Sequence, residues 1–216
     1  MAHDIFFDEQ SHTYLVDGQE VPSVTEILKP LHRSYGAVNP SVLEQASVRG
    51  KAVHEACEDI DYDLEPEIPF EIEGYVRAYL DYKDLYLPEW EMVEQIVFCE
   101  EGWFIGTLDR MGVIDGKPCI VDLKTSTPNR ESYLSVCLQT VAYAMAVSSE
   151  THFDPDWKDY DRYGLFLMKD GKYRLINCKE WEGQNHFNSA DAFGVLLKTH
   201  KMITRLLATG KGKNDE

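Results

Sequence analysis

Asp115-Gly116, set between two runs of β-branched and aliphatic residues, constrains the fold of this chain more than any other feature. Asp-Gly supplies the positive φ angles of a two-residue type I′ hairpin turn. With that turn, Ile114 faces Lys117, and the same register carried back along both strands sets Asp109 opposite Asp122. A loop of odd length would break the register. Directly opposed residues have Cβ atoms about 4.5–5.5 Å apart, and like charges there repel. The two acids sit among Ile105, Leu108, Val113, Ile120 and Val121, so something positive has to lie between them. A hard divalent cation with oxygen ligands is the natural occupant. Lys124 is two residues beyond Asp122 and so projects from the same strand face. The competing reading is a surface hairpin in which Lys124 merely offsets two acids, and spacing by itself leaves the two readings even.

Around this hairpin the chain reads as a mixed α/β (α+β) layer architecture on a central sheet. Ile5–Phe7 and Thr13–Val16, the latter followed by Asp17-Gly18, predict a small N-terminal β-hairpin unit. Ser23 or Thr25 can cap a short helix through Leu28 that Pro30 ends. A helix is expected from Asn39-Pro40-Ser41, with Ser41 and Glu44 fitting a capping box, to about Asp59. A second follows at about Ile72–Tyr86. Three β-type runs (Met92–Cys99, Trp103–Ile114, Pro118–Lys124) precede a helix at Glu131–Ser148, where Leu134, Leu138, Val141 and Met145 share a face. A hairpin at Tyr163–Met168 and Tyr173–Cys178 and a final helix from about Asn188 to Leu207 complete the order. The expected organisation is a single domain over 1–216, with a β-unit at 1–30, a core at 40–180 and a C-terminal helix at 187–209.

The 216-residue length suffices for a sizeable core, and no apolar run approaches a membrane span. Met-Ala-His-Asp is no signal peptide, so the expectation is a cytoplasmic protein without membrane contact. Cys57, Cys99, Cys119, Cys137 and Cys178 lie far apart, which excludes an obvious zinc ribbon or iron–sulfur motif and reads as buried thiols. The net charge of −17 is concentrated: residues 55–101 hold 16 acids against Arg77 and Lys83. A solvated acidic face explains that segment, leaving the remainder able to present a positive groove.

Gly106-Thr107-Leu108-Asp109-Arg110, followed by Ile120-Val121-Asp122-Leu123-Lys124-Thr125-Ser126, resembles the two central motifs of the PD-(D/E)XK nuclease superfamily, in its RecB-like and phage exonuclease branch. Arg49-Gly50-Lys51-Ala52-Val53-His54 is similar to the branch's upstream helical motif, and Gln139-Thr140-Val141-Ala142-Tyr143 to its QxxxY motif. Tyr14 through Val21-Pro22-Ser23-Val24-Thr25 looks like the opening of related phage and mitochondrial exonucleases. The motifs are short, but they occur in order over residues 14–145.

The resemblance implies a restriction-endonuclease-like core and a Mg²⁺- or Mn²⁺-dependent DNA exonuclease that hydrolyses phosphodiester bonds at DNA ends in phage or prophage recombination or replication. It implies His54, Asp109 and Asp122 as metal ligands, joined by the Leu123 carbonyl, and Lys124 as the catalytic lysine. Gln139 and Tyr143, four apart on one helix face, would shape the site and contact the DNA backbone. Glu58 and Glu94 are candidate outer ligands for which plain surface acids are the favoured reading. Lys198, His200, Lys201, Arg205, Lys211 and Lys213 form a modest basic stripe, read as solvated. The implied partner is DNA, single- or double-stranded, with a recombination or single-strand-binding protein as a further one. Related phage exonucleases form rings, so a homo-oligomer is compatible, although no residue here specifies an interface. Two alternatives stand beside this reading: an endonuclease using the same site, and a non-catalytic acidic module that mimics DNA or binds a protein.

Overall fold

The computed structural model describes residues 3–8, 13–31, 39–152 and 154–210, the side chains of 209 and 210 excepted. The protein is mixed α/β. Strands β1 (Ile5–Asp8), β2 (Thr13–Val16) and β3 (Gln19–Val21) form a small antiparallel sheet. Helix α1 (Val24–Leu28) follows, capped by Ser23 and Glu26 in a reciprocal capping box. Pro30 does not end the chain's coiling there: Lys29–Leu31 continues as a 3-10 turn, where its missing N–H costs no helix bond. Helix α2 (Pro40–Asp61) is capped by Asn39, whose side chain accepts from the Ser41 amide, with Pro40 in the first turn. The cap is thus Asn39, and not the expected Ser41–Glu44 box. Helix α3 (Glu73–Tyr86) ends at a left-handed Leu87 ahead of Pro88.

The main sheet has strand order β4 (Glu89–Cys99), β5 (Phe104–Ile114), β6 (Lys117–Lys124), β7 (Asp161–Leu167), β8 (Tyr173–Asn177). All its neighbours are antiparallel except β6 and β7, which run parallel and need a crossover. Helix α4 (Arg130–Glu150) supplies it. Helices α5 (Cys178–Gln184) and α6 (Ser189–Gly210) close the chain. The short α5, capped by Asn177, falls where no helix was expected. About two turns carry too little periodicity to be read from sequence.

Two apolar layers sandwich the sheet. On one face Val53, Ala56 and Cys57 of α2 and Tyr75, Tyr79 and Tyr82 of α3 pack on Val121, Leu123, Leu165 and Leu167. On the other, α4 packs with α1 and α6 over Val97, Leu108 and Ile120. Helix α4 is buried on nearly all sides from Ser135 to Ser148, the property of a helix enclosed between a sheet and further helices. The expected face of Leu138 and Val141 is present, but Val136, Thr140 and Val147 are equally inaccessible. The N-terminal sheet joins through Tyr14, Val16 and Val21, which pack on Phe98 and Ile105. All five cysteines are buried free thiols. Among the described residues no helix is long and apolar enough to cross a membrane.

Candidate metal and catalytic site

Asp115 and Gly116 both have positive φ (50° and 73°), and Ile114 pairs with Lys117, as the Asp-Gly turn predicts. The β5–β6 ladder continues in that register to Arg110↔Val121. There the backbone pairing ends, one residue short of the expected Asp109–Asp122 pair, and the Leu123 amide turns to the Asp109 side chain instead. On the other side of β5, the pairs Val93↔Arg110 and Gln95↔Leu108 bracket Glu94 opposite Asp109. Three acids from three adjacent strands therefore gather close enough that the Asp109 charge acts on Asp122, a like-charge arrangement a sheet tolerates only with compensation.

The compensation comes from both faces. His54, on α2, sets its Nδ1 3.0 Å from Glu94 Oε1 and 3.8 Å from Asp109 Oδ1. One ligand atom from each of His54, Glu94 and Asp109 lies within 4.8 Å of the other two. Asp109 Oδ2 accepts the Leu123 amide at 2.6 Å, so β6 holds the carboxylate by its backbone. Lys124 Nζ lies 2.6 Å from Oδ2 of the buried Asp122. Behind Glu94 stands Arg110, fully buried: its Nη1 donates to Glu94 Oε1 at 2.8 Å and its Nε to Asp61 Oδ2 at 2.6 Å. Asp61 in turn accepts from the Tyr79 hydroxyl and from Lys83 Nζ. A buried guanidinium with its carboxylate partners satisfied keeps its charge, and it fixes the Glu94 head.

Glu94 corrects the expectation of a plain surface acid. It lies inside the cluster, only 20% exposed, and its backbone is left-handed (φ 47°) in mid-strand. A bulge precedes it between Trp90 and Met92. Bulges and left-handed non-glycine residues cost energy and re-aim side chains next to functional sites. Nothing in the local sequence announces either feature. Asp61 also belongs to the acid-rich 55–101 segment yet is fully buried, so that segment is only partly the solvated face expected of it. Glu58 is half-buried, and burial and then the charge of Glu94 raise its carboxyl above the usual range.

The electrostatics follow from this packing. Burial pulls the His54 imidazole down, but the charge of Asp109 and the hydrogen bond and charge of Glu94 outweigh it and raise its pKa to about 9. Burial, reinforced by the Asp109 charge and opposed by Lys124, raises Asp122 to about 6. Glu94 moves the other way: despite burial, His54 and Arg110 hold its carboxyl below the usual range.

Gln139 and Tyr143 stand on α4 at 8% and 4% exposure. Tyr143 lines the inner side of the site: its ring edge is where a Cβ on Gly106 would fall, 2.9 Å away, so Gly106 admits it. Burial and the charges of Asp122 and Asp109 push its hydroxyl well above the usual range. Gln139 Oε1 is buried without a hydrogen-bond partner among the described residues. Both side chains are thus buried, which leaves little of either for direct contact with a DNA backbone. Of the basic stripe, Lys201 donates to the Gly102 carbonyl at 2.6 Å and is not simply solvated, while Lys211 and Lys213 lie outside the described residues.

The donor set of one imidazole nitrogen and two carboxylates, with a third buried carboxylate alongside, fits a divalent cation. The carboxylates suit Mg²⁺ and Mn²⁺, and the imidazole weights the choice toward Mn²⁺. Comparison of the chain with models of known families and with curated proteins finds no match to either.

Proposed function

We propose that this chain is a Mg²⁺- or Mn²⁺-dependent deoxyribonuclease of the PD-(D/E)XK type, acting on DNA ends. The observation that carries the reading is the His54–Glu94–Asp109 constellation placed beside the buried Asp122–Lys124 pair. His54, Glu94 and Asp109 would hold the cation, with Asp122 and the Leu123 carbonyl completing its surroundings. A bound divalent cation supplies Lewis-acid neutralisation of a phosphodiester oxygen. Lys124 would stabilise the charge that grows on the phosphate as water attacks, and Asp122 keeps that ammonium in place. Arg110 and Asp61 keep Glu94 aimed without touching the substrate.

Charge balance supports this assignment. With His54 protonated, the acids Asp61, Glu94, Asp109 and Asp122 are matched by His54, Arg110, Lys83 and Lys124. Exchange of the His54 proton for a divalent cation leaves the cluster with one excess positive charge, the complement of one phosphodiester. This local cation centre offsets the −17 of the whole chain, which otherwise repels DNA.

The test is incubation of end-labelled linear DNA, single- and double-stranded, in Mg²⁺, Mn²⁺ or EDTA beside a closed circle. Metal-dependent loss of linear DNA with the circle spared is the expected result. Cleavage of the circle would make the protein an endonuclease with the same site. No cleavage with any metal would overturn the proposal and leave the acidic binding module as the reading to pursue.

A further inference from the structure

Helix α2 also lines a second concavity. A cavity of about 590 Å³ lies between it, the start of α3 and the β7–β8 turn. Its walls include Val48, Arg49 and Ala52 of α2, with Pro69, Ile72 and Tyr75 opposite. The volume is in the range of small-ligand sites. Arg49 links this cavity to the candidate site. Its guanidinium lies over the Tyr75 ring, 5.7 Å from the centroid, and its Nη2 reaches the carbonyl of Thr125, the neighbour of Lys124, at 3.4 Å. Its Nε is buried without a hydrogen-bond partner among the described residues. At the rim, Phe70 is 82% exposed, a large aromatic ring left in solvent between two lining residues.

We infer that this cavity takes an unpaired nucleobase of a single strand whose phosphate lies at the candidate metal site. The inference rests on the nuclease reading above and deepens it by naming the form of its substrate. The chemistry of the walls selects the occupant. A phosphate is disfavoured, since Glu44 and Glu71 lie at the lining and the surrounding segment is strongly acidic. A base is neutral and flat, stacks on aromatic rings and guanidinium planes, and presents amines and ring nitrogens to carboxylates and to an Arg N–H. The position fits as well: Arg49 lines the cavity and also contacts Thr125, the residue after Lys124, so the cavity adjoins the end of the strand that carries the candidate lysine. A base stacked and paired within a duplex cannot enter a pocket. The substrate is therefore a single-stranded or frayed end, and affinity comes from stacking where the surface charge opposes binding.

The test uses Lys124→Ala full-length protein with Mn²⁺ and a short oligothymidylate carrying 2-aminopurine at successive positions. The expected result is fluorescence quenching at one position, with an abasic residue there weakening binding about tenfold while abasic residues elsewhere do not. Val48→Trp, made at a position 66% exposed and therefore compatible with folding, should fill the cavity and bind intact and abasic strands alike. The inference is overturned if abasic residues at every position bind as well as intact strands, or if Val48→Trp preserves the discrimination. Wild-type cleavage without any base discrimination would sink the cavity assignment and leave the nuclease reading standing. Position-specific quenching without cleavage by the wild type in any metal would do the reverse. Absence of any DNA binding would overturn both.

Discussion

In the proposed function Lys124 and His54 divide the chemistry between them, and each makes a separable prediction. Lys124→Ala removes the ammonium 2.6 Å from Asp122 but none of the three clustered ligand atoms. Single-turnover cleavage should fall by about 10²-fold or more, while Mn²⁺ affinity measured by calorimetry stays within a few-fold of wild type. For His54, the pKa of about 9 means that the imidazole is protonated at neutral pH and has to lose that proton to ligate a cation. Mn²⁺ binding at neutral pH should release about one proton, read from calorimetry in buffers of different ionisation enthalpy. His54→Gln should abolish the release and weaken binding. Arg110 presents the opposite case, a residue whose charge must stay. Removing it by Arg110→Ala takes the shared guanidinium from Asp61 and Glu94 and leaves them only Lys83, Tyr79 and His54, a loss of about 3 kcal/mol in urea denaturation. Wild-type stability of the Arg110→Ala variant would contradict that role.

At the scale of elements, the site is made where β5 and β6 stop pairing. The hairpin was legible because its determinants are local: two residues with positive φ, and an alternation that fixes register from the turn outward. Asp109, Asp122 and Lys124 followed from it. Glu94 was not legible, because its place depends on a bulge and a left-handed residue in β4, which no local pattern encodes. The crossover by α4 brings another constraint. At Gly164 of β7 an added Cβ would lie 2.6 Å from Val136 Cγ1 of α4, so the helix rests directly on the strand backbone. Gly164→Val should destabilise the protein by about 1–3 kcal/mol through overpacking, measured as a lowered denaturation midpoint at unchanged slope. Equal midpoints for wild type and variant would show that the contact can relax.

For the whole molecule, the consequence of gathering charges in a buried cluster is a stability that depends on pH in a defined direction. The folded pKa of His54 lies above its ordinary value of 6.5, so its stabilising contribution is complete below about 6.5 and is lost as pH rises through about 9. That contribution amounts to at most about 3 kcal/mol. Asp122, raised from 3.8 to about 6, has the same sign at lower pH. Metal-free wild type should thus lose its stability advantage over His54→Gln between about pH 6.5 and 9 in chemical denaturation. A constant difference across that window would mean that His54 is not held by Asp109 and Glu94 as the geometry has it.

The sequence by itself determined the elements whose signals are short-range: the hairpins at Asp17-Gly18 and Asp115-Gly116, the long helices, and the face shared by Asp122 and Lys124. Periodicity and turn chemistry act over a few residues, and one chain displays them directly. Only the tertiary structure decided that Glu94 joins His54 and Asp109, that Arg110 and Asp61 brace them, and that α2 also lines an apolar cavity. Those contacts join residues far apart in sequence, 49 positions for Asp61 and Arg110 and 76 for Arg49 and Thr125. The physical reason is that buried charges choose partners by their shared exclusion from water, and which groups are excluded together is known only once the layers have packed.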